Sequence, residues 1–433
     1  MARAIATVAL GGALGAGLML LAPTAAPPGA GSAQASAQQD ALALFSTVFE
    51  KVNAAYVEPP DDDKLVKSAI NSMLASLDPH SNYFDPKTLK DFQQSMKGEE
   101  FGGLGLEVMQ EGDHVRVVSP IDETPAARAG MLSGDLIIGI DDAPVKGMTL
   151  KDAVDKMRGK ANTPVRLTIQ RGPDKAERQV TIVREIIHVR SVRFRRESDD
   201  LGYIRITQFN QETYDGLKAA FDKLKTDGGA PVKGYILDLR NNPGGLLNQS
   251  IEVVNAFVDK GDIVSTRGRY AEQSQTYSAR AGLDLSGGKP TVVLINGGSA
   301  SASEIVSGAM QDLKRATLIG TRSFGKGSVQ TILPLGDNGA VKLTTARYYT
   351  PSGRSIQAKG IEPDIKVLED VPDELKGKVD TKGEASLLGH LKNGDDEKTG
   401  SEAYVPPDQA KDKQLLAAIA LLHGAKADAT SAN

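Results

Sequence analysis

The 433-residue sequence contains no cysteine. That absence excludes disulfides, thiolate metal sites, a cysteine nucleophile and a lipidated N-terminal cysteine, so any catalysis must use oxygen or nitrogen. A long basic run is missing as well. Lys plus Arg number 51 against 55 Asp plus Glu, a formal net charge of −4, which argues against nucleic acid as a partner. The five histidines form no H-x-x-x-H or carboxylate/histidine cluster, so no zinc site is expected. Nor does any of them follow a strand of the α/β region described below. His80 lies in a turn, His114 and His188 in a β-rich unit, His390 in a polar tail and His423 at the end of the last helix. A histidine-based triad is therefore poorly supported. One further absence decides residues 320–330, "GTRSFGKGSVQ". Gly320, Gly325 and Lys326 stand at the spacing of a phosphate-cradling loop. Gly327, however, replaces the hydroxyl residue that would hold magnesium, and "SVQTILPL" alternates like a strand where that loop needs a helix.

What is present is ordinary globular material, 40% hydrophobic and 24% charged, long enough for two or three domains. The first 37 residues read as an export signal: a positive start at Arg3, an apolar run to Leu21, and small-x-small cleavage sites at "AQA" and "ASA". Retained instead of cleaved, the segment is just long enough to anchor the chain in a membrane. Either reading puts the protein outside the cytoplasm, in a periplasmic or other extracytoplasmic space. Residues 40–97 read as helical, with Leu42, Phe45, Val48, Phe49 and Val52 along one face and "DPHSNYFDP" breaking the pattern. Between 99 and 186, glycine-rich "GEEFGGLGLEV", strand-like "HVRVVSPI", helical "TLKDAVDKMRG" and alternating "VRLTIQRG" and "RQVTIVRE" suit a small β-rich domain. From Leu201 strands and helices alternate as in an α/β layer: "LGYIRITQF", "YDGLKAAFDKLKTDG", "KGYILDLR", "LLNQSIEVVNAFV", "PTVVLIN", "SEIVSGAMQDLK" and "ATLIG". Late strands, a polar stretch and a closing helix follow. The helix carries an apolar stripe of Leu415, Leu416, Ile419 and Leu422, which suits either docking on the domain or a contact between copies.

Sites in open α/β sheets lie outside the carboxyl ends of the strands. Two turns stand there. "YILDLR" is followed by "NNPGG", whose Gly244 and Gly245 can turn backbone N–H groups toward a ligand, and "VVLIN" by "GGSASASEI". Ser301 and Glu304 fit the capping box S-x-x-E, a purely structural role. The same position suits a hydroxyl nucleophile, because helix N-terminal N–H groups stabilise an oxyanion. A nucleophile needs a base. Lysine serves if burial lowers its pKa from about 10.4 toward neutrality, and Lys326 follows another buried strand at the same sheet edge.

Together, "GGLGLEV", "LDLRNNPGG", "GGSASASEI" and "GTRSFGKGSVQ" resemble the carboxyl-terminal processing proteases, tail-specific serine peptidases with a PDZ domain. The resemblance runs from about residue 40 to 370 and on to the last helix. It implies an α/β multidomain fold: a helical N-terminal segment (40–97), an inserted PDZ-like β-rich domain (99–186), an α/β protease core (190–370), then a polar linker and C-terminal helix (371–433). Carried onto these residues, it makes Ser301 the nucleophile, Lys326, 25 positions later, the general base, and Gln330 the group that orients the lysine. The oxyanion hole would combine the N–H of Ala302 with that of Gly244 or Gly245. In an extended strand Lys326 and Gln330 would lie about 13 Å apart, so the resemblance requires a bend at Gly327 or a later strand start. The loop Gly103, Leu104, Gly105 and Leu106 would take a tail's carboxylate, although glycines there also suit a simple turn. Arg158, ending the unit's helix, would either bond to the protease core or bond back to its own helix carbonyls. The partners implied are proteins with unstructured carboxyl-terminal tails, with self-association through terminal helices as a further possibility; no cofactor is expected. The rival reading is a catalytically silent PDZ scaffold.

Overall fold

The near-continuous apolar runs from Leu201 onward bury both faces of the inner strands of a six-stranded sheet. Its order is Val192–Glu197, Leu201–Ile206, Gly234–Asp238, Thr291–Ile295, Thr317–Gly320 and Ile365–Lys366, parallel except for the antiparallel first pair. Ile204, Leu237, Val293 and Leu318 face helices Thr213–Thr226, Leu247–Asn255 and Ala302–Asp312. Their neighbours Tyr203, Ile236, Val292 and Ile319 face the terminal helix Lys413–Leu422, whose Leu415 and Ala418 are buried. Each such aliphatic side chain contributes about 1.5–3 kcal/mol on burial. The apolar stripe of the last helix is thus largely consumed by docking.

The computed structural model describes residues 31–97, 101–111, 113–120, 124–132, 135–148, 150–171, 176–187, 191–373 and 380–424. The export signal falls mainly on residues 1–30, outside the described residues, as does His188. No helix among the described residues is long and apolar enough to cross a membrane. The chain divides into two compact units, Met1–Ala69 and Ile70–Asn433. In the first, helix Gly31–Ala55 exposes Leu42, Leu44, Phe45 and Val48. The second holds helix Pro86–Lys97, and the break before it contains a short strand, Asn82–Phe84.

That strand joins a second sheet of the α/β region. There Ala340–Tyr349 is central, pairing with Asn82–Phe84, Ser328–Pro334 and Asp262–Gly268, and Asp262–Gly268 pairs in turn with Gln275–Ser278. The β-rich unit is an antiparallel sheet of Leu106–Glu111, His114–Pro120, Leu136–Ile140, Pro164–Arg171 and Ala176–Val183, with Ala143–Pro144 on its edge. Val115, Val117, Ile137, Leu167 and Ile169 bury against Ala153 of helix Leu150–Met157. Phe101–Gly103 pairs with Glu185–Ile187, so the chain enters and leaves this unit along one ribbon. The polar residues after Asp370 supply the strand pair Asp380–Thr381 and Ser401–Glu402 and the fully buried Glu384.

Candidate active site

Two turns at the carboxyl edge of the core sheet meet. The first leaves the buried strand Thr291–Ile295. Asn296 Oδ1 accepts the N–H groups of Asn241 (2.8 Å) and Gly298 (3.0 Å), and Ser299 Oγ donates to the Leu239 carbonyl (2.8 Å). The turn is thereby tied to the end of the neighbouring strand. It delivers Ser301 to the start of helix Ala302–Asp312 at φ 54°, ψ −110°, a conformation that costs a side-chain-bearing residue of order 1–3 kcal/mol. The capping box is present, with Glu304 accepting the Ser301 N–H at 2.8 Å. Capping and a strained, hydroxyl-bearing turn therefore coincide at one residue.

The Asn-Asn-Pro-Gly-Gly turn packs against this serine. A Cβ on Gly244 would lie 2.9 Å from Ser301 Cβ and 2.9 Å from the Ala302 nitrogen, so the backbone can approach only as glycine. The Gly244 N–H donates to Asn242 Oδ1 at 2.9 Å; among the described residues no acceptor takes the Gly245 N–H. Beneath the turn, the fully buried Arg240 grips Asp412 through both terminal nitrogens (2.8 Å each) and donates to Asp238. Burial alone would raise the Asp238 pKa, but Arg240 and Arg205 hold it well below the ordinary carboxylate range. Burial and Asp238 in turn push the Tyr203 hydroxyl up to about 12.

The lysine turn is held chiefly by Glu304. Besides Ser301, this carboxylate accepts Ser323 Oγ (2.5 Å), the Gly325 N–H (2.7 Å) and the Lys326 N–H (2.8 Å). The Ser301 and Lys326 nitrogens share one oxygen, Oε2, each at 2.8 Å, so the two main chains meet across a single atom. Burial pushes Glu304 up to about 7, whereas its four donors favour the ionised form. The Phe324 N–H donates to the Ser299 carbonyl at 2.9 Å and docks one turn on the other. Lys326 is lowered to about 8, first by burial and then by the nearby Lys342 cation, against the opposing pull of Glu384, Glu304 and Asp78.

Among the described residues, no side-chain hydrogen bond joins Ser301 to Lys326 or Lys326 to Gln330. The strand after the lysine starts at Ser328 and carries a bulge between Val329 and Gln330. Gln330 Nε2 donates to Ser328 Oγ (2.9 Å) and Thr344 Oγ1 (3.1 Å). On the other side, the Gly327 N–H donates to Gln357 Oε1 (3.1 Å), Gln357 Nε2 to Glu384 (3.0 Å), and His80 Nε2 lies 2.9 Å from both Glu384 oxygens. Sequence reasoning reached the first half of Glu304's role through its capping spacing. It missed the second half, and nothing local announces Gln357 or Glu384.

In the β-rich unit, Gly103 ends a strand and Leu106 starts the next. Between them the Leu104 carbonyl accepts the Ala126 N–H (2.8 Å) and the Gly105 carbonyl accepts Thr124 Oγ1 (3.1 Å). The carbonyls of Lys156 and Met157, at the end of helix Leu150–Met157, are bonded by Arg184 at 2.8 and 2.9 Å. This residue, unmarked in the sequence, caps the helix. Arg158 lies exposed just beyond it.

Comparisons with known proteins agree in order along the chain. Residues 200–367 match peptidase family S41, residues 116–171 a PDZ domain, and residues 23–88 the activating protease CtpB N-terminal domain. A carboxy-terminal-processing protease of Bartonella bacilliformis is 55% identical over 390 residues, 88% of each chain. A probable CtpA-like serine protease of Staphylococcus aureus is 38% identical over 336 residues, covering 76% of this chain and 65% of the relative. Among solved structures, the photosystem II D1 C-terminal processing protease aligns over 75% of this chain and 92% of its own, at 33% identity and a TM-score of 0.46.

Proposed function

The chain belongs to the carboxy-terminal-processing proteases of peptidase family S41, and from that premise we propose that it cleaves exported proteins with a Ser301/Lys326 dyad. The observation that carries this reading is the Glu304 oxygen shared by the Ser301 and Lys326 main chains. Lys326, uncharged, takes the proton from Ser301 Oγ as that oxygen attacks the substrate carbonyl carbon. This requires the amine to turn toward Oγ, since the resting side chains make no direct bond. The Ala302 N–H at the helix start and the Gly245 N–H receive the oxyanion, the Gly244 N–H being engaged by Asn242. Collapse of the tetrahedral intermediate breaks the C–N bond, the Lys326 ammonium returns its proton to the leaving amine, and water then releases the acyl group. Gln330 steadies the strand that follows the lysine.

The PDZ domain supplies the tail-binding step. Gly103, Leu104, Gly105 and Leu106 offer N–H groups to the terminal carboxylate while the tail adds to strand Leu106–Glu111. Arg158, exposed at the end of the unit's helix, answers that binding by contacting the protease core. Export by the N-terminal segment brings the enzyme to its substrates, and the apolar residues exposed on helix Gly31–Ala55 support self-association. Purified protein should degrade an unfolded substrate and lose that ability in Ser301→Ala. An inactive wild-type protein that still binds tails would be a scaffold.

A further inference from the structure

Residues 380–403 run as a strap across the serine turn and the lysine turn, joined to themselves by the strand pair Asp380–Thr381 and Ser401–Glu402. The Glu402 carbonyl accepts from both turns, taking the Gly297 N–H at 2.8 Å and Thr321 Oγ1 at 2.7 Å. Thr381 Oγ1 donates to the Gly297 carbonyl (2.8 Å), and Arg322 to the carbonyls of Thr399 and Gly400 (3.0 and 2.6 Å). The strap thereby fixes its own fully buried residue, Glu384, relative to both turns.

Glu384 holds the lysine turn at both ends. Its N–H donates to the Phe324 carbonyl (3.0 Å), and its Oε1 accepts Gln357 Nε2 (3.0 Å). Gln357 Oε1 in turn accepts the Gly327 N–H (3.1 Å). Phe324 and Gly327 bracket Gly325 and Lys326, whose own N–H groups go to Glu304 (2.7 and 2.8 Å). Gln357 is fully buried, so its amide needs an acceptor on one side and a donor on the other. Glu384 supplies the acceptor and thereby turns the Gln357 oxygen toward Gly327. We propose that Glu384 is a positioning residue for proteolysis: through Gln357 and the main chain of residues 324–327 it holds Lys326 within reach of Ser301. The inference rests on Lys326 being the base. Its physical logic is that a reacting group displaced by about 1 Å loses about 100-fold in rate.

The test measures kcat and KM of the full chain on an unfolded protein substrate, with each rate referred to the folded fraction from circular dichroism. The variants are Glu384→Met, Gln357→Glu, the double exchange Gln357→Glu/Glu384→Gln, and Lys326→Ala. Glu384→Met keeps most of the volume and removes the acceptor. Gln357→Glu changes almost no volume but sets two carboxyl groups against each other. Each should lower kcat per folded molecule about 10- to 100-fold, with KM within about twofold of the wild type. The double exchange again faces a donor with an acceptor and leaves an oxygen for the Gly327 N–H, so it should recover kcat to within about fivefold of the wild type. It also carries the test should either single variant fail to fold. A lower melting temperature with kcat per folded molecule unchanged, or a double exchange no better than Gln357→Glu, overturns the inference while Lys326→Ala remains inactive. Substantial activity in Lys326→Ala overturns the reading of Lys326 as base, and the inference with it.

Discussion

The serine turn and the lysine turn meet across one carboxylate oxygen, yet they are built in opposite ways. The elements that make the serine turn are neighbours in the chain, although Leu239 and Asn241 tie it down from afar. A buried strand, a residue at positive φ and a helix start with its capping glutamate all fall within residues 291–304. The lysine turn is assembled from a distance, by Glu304 22 positions away, Gln357 30 positions from Gly327, and through Gln357 the Glu384–His80 pair. A nucleophile needs orientation, which the strained strand-to-helix turn supplies with its ties to Leu239 and Asn241 at the end of the neighbouring strand. A lysine base needs its charge suppressed, and that takes burial and neighbours from several elements.

The largest effect should come from removing the nucleophile. Ser301→Ala should lower kcat by about 10⁴-fold or more with unchanged circular dichroism. Residual activity near that of the wild type would mean the serine turn is only a cap. Lys326→Ala should cost about 10² to 10⁴-fold, and Lys326→Arg should not rescue it because arginine stays protonated. With Lys326 as the proposed base, wild-type kcat/KM should rise with pH through about 8 as the lysine loses its proton. Glu304→Gln removes the charged acceptor common to both turns and should lower kcat about tenfold or more, with a smaller change in KM. An effect confined to stability would assign Glu304 to the cap alone.

Smaller effects separate the domains. Amidating a substrate's carboxyl terminus should weaken cleavage by the intact protein several-fold, and hardly at all after deletion of residues 99–185. Equal sensitivity in both proteins would show that the PDZ domain does not read the tail. The smallest change is thermodynamic. Ser301→Gly relieves the positive φ and should raise the melting temperature by the equivalent of about 1 kcal/mol, as activity disappears.

The same contrast explains what could be read from the sequence. Strands such as Gly234–Asp238 and Thr291–Ile295, and helices such as Ala302–Asp312, follow from hydrophobic period and length. Strand Val192–Glu197, rich in arginine, escaped that pattern. Ser301 and Glu304 were legible because strand end, serine and capping glutamate are neighbours in the chain. Lys326 stands at the spacing of a flawed phosphate loop, but the groups that hold its turn lie far off in sequence. Glu384 sits in a polar stretch that reads as solvated and is fully buried in the structure. Its partner His80 comes from the break between two helices, where a turn histidine carries no signal of what it touches. Nothing in the sequence distinguishes the Gly244 and Gly245 N–H groups; in the structure the Gly244 N–H donates to Asn242 Oδ1.

The central claim is that Ser301 is made nucleophilic by an uncharged Lys326. A fluorophosphonate, which reacts covalently with activated serine hydroxyls, tests it most directly when labelling is followed by mass spectrometry across pH. The account predicts modification at Ser301, at a rate that rises through pH about 8 and falls by about 100-fold or more in Lys326→Ala. Labelling at another serine, or a Ser301 rate indifferent to both pH and Lys326→Ala, would contradict it.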